Sequence, residues 1–206
     1  MIKKIKFELR KLRSILRVKK ILGQRDVINL EIGSGPQRGN DEWVTLDICK
    51  QSDLTWSLTD GLPFPDGSVN KIYASHVFEH FSYDELQQIL SSCHRVLAPE
   101  GQLLVCVPNA RLYISAYMND EDLEEWDFYE PALNYHSRID YVNYAAYMGG
   151  HHKHLFDEDN LLSILRSAHF ESAQLRSFDP ELDLEWRRFE SIYAIAHKSK
   201  VRALAA

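Results

Sequence analysis

The sequence predicts an α/β sandwich around a mainly parallel sheet, and three observations predict it. Short apolar runs bounded by Gly, Pro or Asp alternate with segments whose apolar residues recur every three or four positions, as strands alternate with helices. The first run, Val27-Ile28-Asn29-Leu30-Glu31-Ile32, opens into the glycine turn Gly33-Ser34-Gly35, and the second, Trp43 to Ile48, carries a carboxylate, Asp47, near its end. A chain of 206 residues, 45% apolar and 26% charged, is long enough to bury one domain-sized core.

Residues 2–21 come first in the chain. Ile2, Ile5, Leu9, Leu12 and Leu16 fall at three- or four-residue steps, so the stretch reads as an amphipathic helix with a basic outer face, stopped at Gly23. Two readings stay open. The helix packs its apolar stripe on the sheet or on a second subunit in a homodimer, or it lies on an anionic membrane surface or grips an acidic partner. We therefore divide the chain into a basic helix, 1–25, and a single domain, 26–206.

The link 36–42 between the first two strands contains Pro, Gly and Asn and allows at most two helical turns. Leu54 to Leu58 reads as a short edge strand. The proline-punctuated loop Leu62-Pro63-Phe64-Pro65-Asp66-Gly67-Ser68 leads into a fourth strand, Val69 to Ser75. Tyr83 to Leu97 is a helix: Ser82 and Glu85 make a capping box, and Leu86, Ile89, Leu90, Cys93 and Leu97 form the buried stripe. Pro99-Glu100-Gly101 turns the chain into a fifth strand, Gln102 to Val107. Residues 109–150 lose strand alternation and carry tyrosines 113, 117, 129, 135, 141, 144 and 147 with an acidic cluster at 120–125, so we read about 109–155 as a lid. A helix over Asp157 to Ala168 and two closing strands, 172–178 and 190–197, complete the domain.

Charge is uneven. Residues 1–25 hold ten Lys/Arg against Glu8 alone, while the rest holds 14 basic and 29 acidic residues, which argues against nucleic acid as a partner. No run approaches the ~18 apolar residues of a membrane span, and the lysine-bearing start lacks the apolar region and cleavage site of a secretory signal. Cys49, Cys93 and Cys106 are far apart and odd in number. They read as reduced thiols of a cytoplasmic protein, neither a zinc site nor a disulfide framework.

The glycine turn points to a nucleoside at the carboxyl edge of the sheet. A dinucleotide fold needs a third glycine where Arg38 stands and a full helix after it, and no Walker A lysine is present. The segments Glu31-Ile32-Gly33-Ser34-Gly35, Thr45-Leu46-Asp47, Leu62 to Ser68 and His94 to Leu103 occur in that order. Together they resemble the class I S-adenosylmethionine-dependent methyltransferases, in particular their small "type 11"-like members with an L-P-F-P-D loop and an R-V-L-x-P-x-G turn. The resemblance covers 26–108 well and 151–197 loosely. It implies a Rossmann-like three-layer sandwich on a seven-stranded sheet with an antiparallel last strand. It implies S-adenosyl-L-methionine as cofactor, with Glu31, Gly33, Ser34 and Gly35 at its amino-acid end, Asp47 on the ribose hydroxyls, Ser57 and Leu58 at the adenine, and Ser75 and His76 beneath the sulfonium. The chain departs from the family at Gln37, where a third glycine is common, at Ser57, often an acid, and in its curtailed first helix.

Methyl transfer to a hydroxyl needs positioning and a base, and histidine suits that role near neutral pH. The candidates are His76, His80 and His152, with His136, His151 and His154 behind them. The run His151-His152-x-His154 invites a metal, but with no nearby cysteine and only Asp157 close in sequence we assign none. The tyrosine-rich segment, with Arg111 and Arg138, would cover a small-molecule or glycan acceptor and suit a sugar ring by stacking. The expected activity is O-methylation of such an acceptor, in surface-polysaccharide biosynthesis. The alternative is a non-catalytic cofactor-binding or scaffold protein.

Overall fold

The computed structural model describes residues 2–121, 123 and 136–200, so Tyr129, Tyr135 and the acidic residues Asp122, Glu124 and Glu125 lie outside the described residues. Seven strands form one sheet: β1 (Asn29–Ile32), β2 (Trp43–Asp47), β3 (Leu54–Thr55), β4 (Val69–Ser75), β5 (Leu97–Pro108), β6 (Ser172–Leu175) and β7 (Ser191–His197). Their order is β3-β2-β1-β4-β5-β7-β6. Neighbours from β3 to β5 pair in parallel, whereas β7 runs antiparallel to both β5 and β6. The expected architecture, mainly parallel with a reversed last strand, is therefore present. The order reverses between β1 and β4, and β1 lies inside the sheet between β2 and β4, its Leu30 and Ile32 fully buried. An open parallel sheet binds ligands at such a switch point, beyond the carboxyl ends of its strands.

Among the described residues there are five α-helices: α1 (Ile2–Gln24), α2 (Tyr83–Val96), α3 (Ala110–Met118), α4 (Ile139–Tyr147) and α5 (Glu158–Ser167). The α2 start is the anticipated capping box, Ser82 and Glu85 each accepting from the other's backbone N–H. Asp157 caps α5 by accepting from Asn160 N–H at 2.8 Å. Leu86, Ile89, Leu90, Leu161 and Leu165 join the sheet residues in one continuous core.

Three elements differ from the sequence reading. β3 stops at Thr55: Trp56 N–H makes its last ladder bond, to Asp47 C=O, and the chain then tightens into a 3₁₀ turn at Leu58–Asp60. β5 begins at Leu97, ahead of the Pro99–Gly101 turn, because Leu97 already pairs with Val69. The stripe Ile5, Leu9, Leu12, Leu16 does not pack on the sheet. Each of these residues is more than half exposed, and α1 instead buries Ser14, Val18 and Ile21. Ser14 supplies what an open sheet edge lacks: its hydroxyl accepts from Thr55 N–H at 2.9 Å and donates to Thr55 C=O at 3.2 Å. Lys11 lies over the Trp56 ring and pairs with Asp60, and Arg17 pairs with Asp53. The helix thus caps the β3 edge and leaves its apolar stripe outside.

The excursion after β5 leaves and returns at one place. Asn109 and Phe156 form a parallel bridge, and Ala110 N–H donates to Phe156 C=O. Within it α3 and α4 pack around Tyr113, Ala116, Tyr141 and Ala145, a small cluster separate from the main core.

Candidate functional site

Three cavities meet at the carboxyl ends of β1, β2 and β4, and His76 lines all of them. The first, about 470 Å³, is walled by Glu31, Gly33, Ser34, Gly35, Gln37, Tyr73 and Ser75, with Trp186 and Arg187 opposite. The second, about 390 Å³, holds Gly33, Asp47, Ile48, Trp56, Ser57 and Leu58, with His80 and Phe81 closing it. The third, about 140 Å³, is lined by Glu79, His80, Tyr113, Tyr144, His152, Arg187 and Glu190. All the cofactor-site candidates of the sequence thus line the first two cavities, which share Gly33. The candidate bases His76, His80 and His152 come together on the third. His136, His151 and His154 line none of the three. Neither do Arg111, which pairs with Asp157 and Glu158, and Arg138, which pairs with Asp120.

The turn after β1 has a reason to be glycine. Gly33 adopts φ +67°, and a Cβ there would sit 2.4 Å from Val77 Cγ2. The Gly33 backbone therefore lies against the Val77 side chain with no room for a Cβ of its own. Beside it, Ser34 Oγ is buried without a hydrogen-bond partner among the described residues. The Glu31 carboxyl faces the first cavity, and burial raises its pKa above the ordinary value. Asp47 is held by two backbone donors, Gly35 N–H to Oδ2 at 2.9 Å and Cys49 N–H to Oδ1 at 2.7 Å. Each carboxylate oxygen keeps a second lone pair for a ligand.

His76 itself has φ +53°, a left-handed conformation uncommon outside glycine and often stored at functional sites. Its Nε2 lies 2.8 Å from Ser191 Oγ, and its Nδ1 lies 3.6 Å from Glu79 Oε1. Burial, then the Arg187 guanidinium, holds its pKa well below the ordinary value, so the ring is neutral at physiological pH. Burial likewise lowers His152. Glu79 is the least expected member: 1% exposed, it has neither carboxylate oxygen bonded to another described residue, and burial pushes its pKa up to about 8. A 3₁₀ turn, Phe78–His80, carries it inward.

A second feature absent from the sequence reading is the loop 178–190, which brings Trp186 and Arg187 over the site. Arg187 Nη1 reaches Ser75 C=O at 3.3 Å and stacks on Trp186. Asp183 anchors this loop. Its side chain is fully buried and accepts from Arg176 Nη1 and Nη2, Tyr73 OH and Asp179 N–H. Only the Trp and the local acidity marked this loop in the sequence.

Residues 30–105, from β1 nearly to the end of β5, match the family model described as a methyltransferase domain. Over that stretch the chain is similar to a methyltransferase domain. Solved methyltransferase structures share its fold. One described as an S-adenosylmethionine-dependent methyltransferase from Archaeoglobus fulgidus superposes with a TM-score of 0.53 at 15% identity, over 92% of this chain and 94% of that one. A putative methyltransferase in complex with the Trm112 activator from Haloferax volcanii gives 0.53 at 13% identity, over 97% and 94%. The Burkholderia thailandensis 1,6-didemethyltoxoflavin-N1-methyltransferase, with S-adenosylhomocysteine bound, gives 0.52 at 15% identity, over 92% and 78%. No curated protein sequence matches the chain. Such identities carry the fold alone. The donor set suits the cofactor of such a domain, S-adenosylmethionine: a buried hydroxyl with no partner among the described residues and a carboxyl beside a side-chain-free turn, then a carboxylate held by two backbone donors.

Proposed function

We propose that the protein transfers a methyl group from S-adenosylmethionine to a hydroxyl of a small-molecule or sugar acceptor, of the kind used in surface-polysaccharide precursors. The observation that carries this reading is the convergence of the three cavities on His76. When bound, the cofactor supplies an electrophilic methyl on a sulfonium sulfur. Glu31, Ser34 and the Gly33–Gly35 turn would hold its amino-acid end, Asp47 its ribose hydroxyls, and Ser57 and Leu58 its adenine. Ser75 would form the floor beneath the sulfur.

The acceptor would occupy the third cavity, covered by α3 and α4. Tyr144 and Trp186 offer rings that suit a sugar. His76, neutral and fixed by Ser191, is placed to take the hydroxyl proton, with His80 and His152 as the other candidates. Holding both reactants in these adjoining cavities, shielded from water, would provide most of the rate. No described helix is long and apolar enough to cross a membrane. The exposed apolar stripe of α1, flanked by its basic residues, would instead rest the protein on an anionic membrane surface from the cytoplasmic side or meet a partner, a second copy included.

Calorimetry with S-adenosylhomocysteine tests the donor site. Wild-type protein should bind it, and Asp47→Ala should weaken binding at least tenfold, about 1.4 kcal/mol. A wild-type protein that binds neither this product nor the methyl donor would refute the reading. A labelled-methyl assay over sugar and phenolic hydroxyls then identifies the acceptor class.

A further inference from the structure

Glu79, His80 and His152 come from two segments more than seventy positions apart, yet each offers a ligand atom within 4.8 Å of the others. We propose that these three residues form a divalent metal site in the wall of the acceptor cavity, selective for a first-row transition ion. The proposal deepens the functional reading above, on which the use of the cavity rests, but the site stands on its own geometry.

Both histidines are oriented as ligands. His80 Nδ1 lies 3.0 Å from His151 C=O, and His152 Nδ1 lies 2.7 Å from Ala145 C=O. A carbonyl can only accept, so each Nδ1 carries the proton and each Nε2 keeps its lone pair free. Fixing the tautomer through the far nitrogen is how metal-ligating histidines are commonly held. The two rings stand edge to face with centroids 5.0 Å apart.

The second observation is Glu79. A side chain with 2% exposure and no bond from either oxygen to another described residue is costly to bury, and ordinary folding would provide it a donor. The Arg187 guanidinium acts on Glu79 only through its charge, its Nη1 bonding Ser75 instead. A cation between Glu79 and the two imidazoles would satisfy the carboxylate. Bringing each ligand atom to about 2.0–2.2 Å of one ion requires these atoms to close in by roughly an ångström at most. The backbone is braced for it: Lys153 and His154 N–H both donate to Glu79 C=O, tying the histidine segment to the glutamate turn.

Two imidazoles and one carboxylate favour Zn²⁺, Fe²⁺, Co²⁺, Ni²⁺ or Mn²⁺ over Mg²⁺ and Ca²⁺, which prefer all-oxygen sets. Three protein ligands leave coordination positions open, and the cavity they open onto is the one assigned to the acceptor. His80 and His152 are then ligands, and His76 is left as the base. The set could not be read from the sequence run His151-His152-x-His154, because only its middle member faces this cavity.

The test is titration of the chelator-treated full chain with Co²⁺, followed by visible absorption, and with Zn²⁺ by calorimetry. One equivalent should bind. Loss of an outer-shell partner alone costs about 10–100-fold in metal affinity, so His152→Ala and Glu79→Gln should each cost at least about 100-fold. His94→Ala, remote from the cluster, should leave metal binding unchanged. His152→Gln replaces His152→Ala if circular dichroism shows that alanine disturbs the fold. Absence of Co²⁺ and Zn²⁺ binding tighter than about 1 mM, or binding that survives both ligand substitutions, would overturn the site. S-adenosylhomocysteine binding, measured on the same samples, separates the two ideas. Cofactor binding without metal binding overturns the metal site alone, and metal binding without cofactor binding overturns the donor reading alone.

Discussion

Removing the Asp183 carboxylate should unlock the wall of the site and destabilise the domain together. Four donors converge on this side chain: Arg176 Nη1 at 2.6 Å and Nη2 at 2.7 Å, Asp179 N–H at 2.8 Å and Tyr73 OH at 3.0 Å. The Arg176 side chain is 12% exposed, so Asp183→Ala strands a guanidinium that water can barely reach. Breaking a buried pair from one side costs about 3–5 kcal/mol. We take about 4 kcal/mol, since the orphaned Tyr73 hydroxyl adds to the loss while relaxation of the loop reduces it. For a domain of this size each kcal/mol moves the melting temperature by about 2–4 °C, so the expected drop is roughly 8–16 °C. Thermal unfolding followed by circular dichroism measures the drop, and urea denaturation measures the free energy. The double variant Arg176→Met/Asp183→Leu is the control: removing both charges together should cost less than the two single changes summed, because neither leaves a lone buried ion. A loss below about 1 kcal/mol for Asp183→Ala, or strict additivity in the double variant, would refute the reasoning.

Two further outcomes follow from the same geometry. Gly33→Ala places a methyl against Val77 at a backbone angle that alanine resists; it should cost about 2–4 kcal/mol and abolish S-adenosylhomocysteine binding by calorimetry, and an alanine variant that binds normally would contradict the packing. Glu85 has its pKa lowered to about 2, first by the Ser82 backbone N–H and then by Lys153. A carboxylate depressed in the folded state adds stability above its unfolded value of 4.5, and that stability fades as pH falls from there toward 2. The melting-temperature gap between wild type and Glu85→Gln should therefore be present at pH 7 and shrink below about 4.5. A gap that stays constant down to pH 3 would contradict it.

Much of the fold was legible because strand and helix periods are local. Leu86, Ile89, Leu90 and Cys93 announce α2 by spacing alone, and Ser82 with Glu85 marks its start. The residues lining the first two cavities were legible for a related reason: they sit at strand ends, where Gly33 and Asp47 stand out against apolar neighbours. What escaped was set by distant parts of the chain. The stripe of α1 has helical period on both of its faces, and only the Ser14 pairing with Thr55 decides which face turns inward. Glu79 reads as an ordinary surface acid until a 3₁₀ turn rolls it under His76. Arg187 reaches Ser75 from 112 positions away, a contact that no sequence period encodes.

The bridge between Asn109 and Phe156 gives the excursion between them a single doorway. A segment that enters and leaves the sheet at one point can change in length at little thermodynamic cost, about 0.6 kcal/mol for each doubling of a flexible loop. The α3 and α4 helices can accordingly be rewritten by evolution, or exchanged by an engineer, without moving Gly33 or Asp47, while Lys153 and His154 stay tied to the Glu79 turn. The two parts of the molecule can therefore diverge at different speeds, a conservative chassis carrying the glycine turn and a replaceable cassette beside it.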